Sequence, residues 1–236
     1  MTRHGVTAYE VTDRYNDEYF GDLAERYRKR TRFARQRIRN VFSLLPSLRD
    51  QTVVDLGCGM GTFTIEAARS GASAFGIDMM APALAAARRV AEVEGVRARF
   101  VRADAAGLPI ASARADVVIA ADLTEHLDDD TLSHVLAEAR RILRPGGRLV
   151  LYTPERGHIF EQLREKGILT DGDPSHIGLR SAGELADAVR RAGFAPDPVQ
   201  FLPSHLPVWN LLERSLSRWV PFLRRRIGLV ARAEHL

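Results

Sequence analysis

A single cysteine, Cys58, in 236 residues excludes an intrachain disulfide framework and suits a reducing cytoplasm. No run reaches the roughly 18 apolar residues that a membrane-spanning helix needs. The N-terminus is polar and aromatic, unlike a secretion signal with its charged and then apolar regions. Neither sign of charge dominates. The 34 Lys and Arg against 30 Asp and Glu leave +4, so a pI near 9.6 gives little reason to expect a nucleic acid partner. H-x-H, C-x-x-C and clustered carboxylates at metal-ligand spacing are missing from the predicted strand ends, so no metal is expected. The run Asp128-Asp129-Asp130 reads instead as the acidic first turn of a helix.

What the chain does have is concentrated in residues 53–61, Val53-Val54-Asp55-Leu56-Gly57-Cys58-Gly59-Met60-Gly61. Two β-branched residues predict a buried strand, and three alternating glycines predict a turn whose backbone approaches a ligand. A dinucleotide loop reads G-x-G-x-x-G and receives a pyrophosphate. Here Thr62 stands where the third glycine of that pattern would fall, and Asp55 would repel a pyrophosphate. A ligand with a cationic end fits better. Cys58 has no basic or histidine neighbour in sequence and reads as a small loop residue near the ligand, not a nucleophile.

Further acids follow at strand ends. Phe75-Gly76-Ile77-Asp78 places Asp78 23 residues after Asp55, close to the roughly 20 expected between a glycine loop and a ribose-binding acid. Phe100-Val101-Arg102-Ala103-Asp104 reads as a third strand. Asp116-Val117-Val118-Ile119 leads to Glu125-His126-Leu127, and Leu143-Arg144-Pro145-Gly146-Gly147 leads into a fifth strand. In this order the motifs resemble the class I S-adenosylmethionine-dependent methyltransferases, over roughly residues 35–200. The Glu-His-Leu and Ala192-Gly193-Phe194 turns are most similar to the small-molecule branch of quinone-type and natural-product tailoring enzymes. The resemblance implies S-adenosylmethionine as cofactor. It would be held by Asp55, Gly57, Cys58, Gly59, Gly61, Asp78, Met79, Asp104, Ala105, Asp122 and Leu123. No Asn-Pro-Pro-Tyr-type segment follows strand four, which argues against methylation of a flipped base.

Periodicity predicts a helix over 22–44, strands at 52–56, 73–77, 98–102, 116–121 and 148–153, and helices at 62–70, 81–94 and 129–142 between them. Ser181 and Glu184 form a capping-box pattern ahead of another helix. Strands are expected at 198–202 and 227–233. The expected fold is a doubly wound, mostly parallel seven-stranded sheet with an antiparallel last strand and helices on both faces, in one domain. Residues 1–45 would form a helical lid, 46–153 the cofactor core, 154–226 the acceptor side with a cap helix, and 227–236 the last strand and tail.

The acceptor side carries fewer signals. Tyr15, Tyr19 and Phe20 are candidates to fold over the site. His126, His158 and His176 are candidates for general base, since an oxygen or nitrogen acceptor can need one. Leu206, Trp209, Leu212, Leu216 and Trp219 recur at helical spacing among arginines, in a segment that either packs on the domain, caps the substrate or touches a membrane surface. A small-molecule acceptor is expected, and oligomeric state is not legible.

Overall fold

The β-branched run ahead of the glycines forms strand β1 (Thr52–Leu56), with Val53, Val54 and Leu56 removed from solvent. Each such side chain stabilises the fold by about 1.5–3 kcal/mol. The computed structural model describes residues 16–165, 168, 173, 175–217 and 219–234. Helix α1 (Asp17–Arg28) and helix α2 (Arg32–Phe42) precede β1. After it come α3 (Thr62–Arg69), β2 (Ser73–Asp78), α4 (Ala81–Val93), β3 (Arg99–Arg102), β4 (Ala115–Ala121), α5 (Asp129–Ile142) and β5 (Leu143–Pro154). The last third holds α6 (Ile159–Glu165), α7 (Ala182–Arg191), β6 (Phe194–Pro196), β7 (Gln200–Leu202), α8 (Pro207–Leu216) and β8 (Arg226–Ala233).

The sheet runs β3-β2-β1-β4-β5-β8-β6, with β7 also paired to β8. Strands β1 to β5 are mutually parallel, and β8 lies antiparallel to β5, β6 and β7. Alternation along each strand divides the core. Val54, Val118 and Leu151 face α5 and α7, whereas Val53, Val117, Ile119 and Val150 face α2 and α3. A third cluster, with Phe20, Tyr27, Met60, Ile65 and Val90, seats α1 against α3 and α4.

The caps follow the sequence pattern. Asp128 accepts from Thr131 N at 2.7 Å to open α5, and Ser181 with Glu184 forms a reciprocal capping box on α7. Three expectations are corrected. The single helix over 22–44 is two helices, because the chain turns at Arg30, whose φ is +48°. The strand expected at 198–202 forms as the shorter β7, and an additional short strand, β6, precedes it, so the sheet has eight strands, not seven, among the described residues. The fifth strand begins at Leu143, five residues before the expected 148. Among the described residues no helix is long and apolar enough to cross a membrane.

Candidate active site

The three glycines between β1 and α3 all take left-handed backbone, with φ of +65°, +53° and +82° at Gly57, Gly59 and Gly61. Their surroundings differ. A Cβ on Gly57 would lie 2.9 Å from Leu123 Cδ1, and one on Gly61 would lie 2.9 Å from Phe100. Those two glycines let the loop pack against its own protein. A Cβ on Gly59 would meet only Phe20, at 3.8 Å, an ordinary contact, so Gly59 is the least crowded of the three.

Asp55 ends the strand behind the loop and is buried. Its Oδ2 accepts from Thr64 N at 3.0 Å and from Thr64 Oγ1 at 2.7 Å, while Oδ1 has no partner among the described residues. Burial pushes this carboxyl up to about 7, against the pull of the Thr64 hydrogen bonds. Asp78, at the end of β2, accepts from Gly59 N and from Met80 N, each at 2.8 Å. Burial raises it too. An orphaned carboxylate oxygen and a second acid bonded into the loop fit a ligand that brings positive charge and hydroxyl donors. This is the donor set of a sulfonium nucleoside, not of a pyrophosphate.

The other expected cofactor residues are arranged less evenly. Cys58 is buried in the loop, its N–H donates to Ile77 O at 3.0 Å, and burial pushes its thiol well up, so it does not ionise as a nucleophile would. Met79 is exposed beside the cleft edge. Asp104 is exposed and caps its own turn, accepting from Ala106 N at 2.9 Å; Ala105 is half-buried in that turn.

Helix α1 covers the loop. Phe20 is buried over Gly59, and Tyr19 meets its ring edge-on at 5.2 Å. Tyr15 lies outside the described residues. The anchor that holds α1 there has no local signature in the chain, because Glu66 lies 39 positions from Tyr27. Tyr27 donates to Glu66 Oε1 at 2.6 Å, and Arg30 donates to the same oxygen at 2.6 Å.

At the end of β4 the backbone turns sharply. Asp122 takes φ of +54°, and its N–H donates to Tyr152 O at 2.7 Å. Its carboxylate accepts from Arg37 of α2 and, at 2.6 Å, from Arg226 of β8. Burial works against its charge, but the two guanidiniums win and hold Asp122 below the usual carboxylate range. Leu123 packs under Gly57. Arg37 and Arg226 were hidden in sequence among two long basic stretches.

The next residues form a buried polar knot. Glu125 accepts from Thr153 Oγ1 at 3.0 Å, and burial pushes it up to about 8. The rings of His126 and His176 meet at 4.9 Å. His126 Nδ1 donates to Ser175 O at 3.2 Å, which fixes the tautomer with the lone pair on Nε2. Burial lowers both imidazoles, His176 to about 4, so both are neutral near pH 7. Residues 175–180 are clamped in place. Gly178 N donates to Glu125 O at 2.8 Å, and buried Arg180 donates to Thr124 O and Leu127 O, each at 2.9 Å. No side chain fits at Gly178, where a Cβ would stand 1.9 Å from Leu127 O.

Glu125, His126 and His176 therefore each offer a ligand atom within 4.8 Å of the others, a set that could hold a divalent ion. Sequence reading missed it because His176 lies 50 positions away and reaches the pair only through the Arg180 clamp. His158 stands apart. It is buried beneath α8 with Nε2 3.8 Å from Glu213, and its ring meets Phe160 at 5.1 Å. A cavity of ≈ 430 Å³ lies behind the clamp between Asp129 and Arg191 and includes no glycine-loop residue.

Comparison with known proteins agrees with this geometry. Residues 53–147 match the model of a family described as a methyltransferase domain. A ubiquinone biosynthesis O-methyltransferase of Cereibacter sphaeroides is 31% identical over 176 residues, covering 70% of this chain and 69% of that protein. A demethylmenaquinone methyltransferase of Thermus thermophilus is 38% identical over 101 residues, 42% of this chain and 45% of that one. In structure, an S-adenosylmethionine-dependent methyltransferase of Thermotoga maritima superposes with a TM-score of 0.67 at 19% identity, covering 92% of this chain and 98% of that chain, a likeness of fold. The charge of Asp55 and Asp78, the uncrowded Gly59 and these relatives converge: the chain belongs to the class I S-adenosylmethionine-dependent methyltransferases.

Proposed function

We propose that the chain methylates an oxygen of a small quinone-type or phenolic acceptor, with His126 as the general base. The observation that carries this reading is the neutral His126–His176 ring pair at the carboxyl edge of β4, beside the charged Asp122. S-adenosylmethionine supplies a methyl carbon already activated by its sulfonium. The protein must then orient the acceptor, exclude water and receive a proton. Phe20 and α1 cover the loop side. Asp122 favours an imidazolium on His126 once the acceptor hydroxyl has given up its proton, and Ser175 fixes the tautomer that receives it. The names of the ubiquinone and demethylmenaquinone relatives support a quinone-type acceptor.

The test is mass spectrometry of products from a catechol and an o-aminophenol incubated with methyl-labelled S-adenosylmethionine. O-methyl products, with kcat reduced at least tenfold in His126→Ala, support the reading; N-methyl products or an unchanged kcat sink it. This mechanism needs no metal. A second reading is favoured by the Glu125–His126–His176 set, in which a divalent ion would polarise the acceptor oxygen instead. Activity that survives a chelator supports the base mechanism. Activity lost to a chelator and restored by Mg²⁺ or Mn²⁺ supports the second.

For partners, the reading adds a peripheral membrane contact through 206–226 in a cytoplasmic enzyme. Helix α8 is turned so that its only acid, Glu213, is 2% exposed, while Val208, Leu211 and nearby Trp219 are 72%, 68% and 79% exposed. An apolar outward face beside arginines suits an anionic bilayer surface. Sedimentation with phosphatidylglycerol vesicles should retain the chain and lose it in Trp219→Ser; no retention removes the contact. A reducing compartment accords with one buried cysteine, and nucleic acid is not among the proposed partners.

A further inference from the structure

A small cavity on the far side of Arg37 from the glycine loop plays no part in the mechanism above. It is lined by Phe33, Arg37, Tyr152, Ser204, His205 and Arg226 among others, with about 30 Å³ of free space. Arg37 is a shared wall: its other side lines a second hollow with Met60 and Thr62 of the glycine loop. The free space corresponds to about two water sites, since one needs roughly 10–15 Å³. A group with two oxygens therefore fits, and a tetrahedral phosphate is crowded.

The donors in this cavity are unbalanced. Arg37 Nε is buried without a partner among the described residues, and Ser204 Oγ is buried with the Glu213 carboxylate beside it. The Tyr152 hydroxyl accepts from Asn40 Nδ2 at 3.1 Å, which leaves its own proton to give. Burial raises the Tyr152 pKa, so that proton stays on. Two guanidiniums, Arg37 and Arg226, share one hydrogen-bonded carboxylate, Asp122. Glu125 and Glu161 also act on Arg226, from further off. His205 is lowered by burial and adds no charge near neutral pH. A buried donor left without an acceptor is unfavourable, and an arginine Nε–H can only donate. The missing partner is an oxygen acceptor, and paired guanidiniums favour an anionic one.

We infer that this cavity is a carboxylate subsite for the acceptor, formed by Arg37, Ser204, Tyr152 and Arg226, so that the enzyme prefers acceptors bearing a carboxylate over neutral ones. The inference rests on the methyl-transfer reading for the identity of the bound molecule. The shared chemistry could instead serve the amino-acid carboxylate of the cofactor, because Arg37 also borders the loop side.

The experiment uses benzoate, its neutral isostere benzamide and inorganic phosphate, titrated calorimetrically into the chain at fixed ionic strength. Each is measured with and without saturating S-adenosylhomocysteine. Benzoate is expected to bind at least tenfold more tightly than benzamide or phosphate, and to keep that affinity when S-adenosylhomocysteine is present. Ser204→Ala and Tyr152→Phe, which leave the arginine pairs intact, should each weaken benzoate about fivefold, with S-adenosylhomocysteine affinity unchanged. Equal binding of benzamide, tighter binding of phosphate, no binding of benzoate, or benzoate affinity indifferent to both variants overturns the subsite. Displacement of benzoate by S-adenosylhomocysteine assigns the carboxylate to the cofactor and overturns the acceptor role. S-adenosylhomocysteine binding is read in the same titrations, so failure of the subsite is distinguishable from failure of the methyl-transfer reading.

Discussion

The two halves of the site are built from different material. The proposed cofactor side is built largely from backbone. Three left-handed glycines and the N–H groups of Gly59 and Met80 surround Asp78, with Asp55 behind them. The proposed acceptor side, where Asp122 is assigned in place of its expected cofactor role, is built from side chains of distant segments. Arg37, Asp122 and Arg226 come from α2, the end of β4 and the start of β8, and His176 is held by Arg180. A backbone-built site tolerates change in most side chains and leaves a local signature. A side-chain-built site can alter its specificity one residue at a time, and its members are scattered along the chain.

If that contrast holds, the largest single effect belongs to the acceptor side. Asp122→Ala leaves two guanidiniums, each about four-fifths buried, without their shared carboxylate. A loss of about 3 kcal/mol in urea unfolding is expected, in the range for breaking a buried pair. A loss under about 1 kcal/mol would show the trio to be solvated and would blur the distinction. Gly61→Ala tests the backbone side. At φ of +82° and 2.9 Å from Phe100, it should cost about 2 kcal/mol, from left-handed strain plus crowding. An unaffected midpoint would mean that the loop relaxes freely.

A smaller effect concerns pH. Glu125 moves from an ordinary 4.5 to about 8 on folding, so the folded chain holds a proton there that the unfolded chain releases between those values. Stability therefore falls as pH rises from about 4.5 to 8. Asp55 acts in the same direction up to about 7. Glu125→Gln should flatten the decline without abolishing it, as read from urea midpoints at pH 5, 6.5 and 8; an identical slope would place the titration elsewhere. The smallest effect is at Asp104. It is exposed and bonded within its own turn, so Asp104→Ala should change stability by less than about 0.5 kcal/mol. A larger loss would move it from the rim to the structural part of the cofactor side.

The same contrast explains what could be read without coordinates. Asp55, the glycines and Asp78 are legible because strand, turn and acid are local and periodic. So are the caps at Asp128 and Ser181, since each needs only three residues. The helix break at Arg30 was not legible, because the apolar stripe continues through it and Pro46 was the first strong stop signal. The short strand β6 was not legible, because it follows directly on the Gly193 turn and is defined only by pairing with the distant β8. Arg37 and Arg226 sat in basic runs with no feature to distinguish them from solvated neighbours. His158 looked equivalent to His126 and His176 in sequence, yet its partner is Glu213 on α8. The apolar repeat of Leu206, Trp209, Leu212 and Leu216 was legible, but the outward turn of Val208 and Leu211, which lie off that repeat, was not, because it goes with the inward Glu213.

Strand β8 runs against its neighbour β5, and Arg226 is its first residue, in register with Pro154 at the end of β5. Reversal brings the beginning of one strand to the edge where the parallel strands finish. Arg226 is thereby positioned by a ladder instead of a loop. A chain cut before residue 226 would keep the glycine turn and both cofactor acids, yet leave Asp122 with one guanidinium out of two. In an N-to-C synthesis, the glycine turn, both acids, Arg37 and Asp122 are all made before Arg226, so the ion-pair cluster around Asp122 is the part completed last.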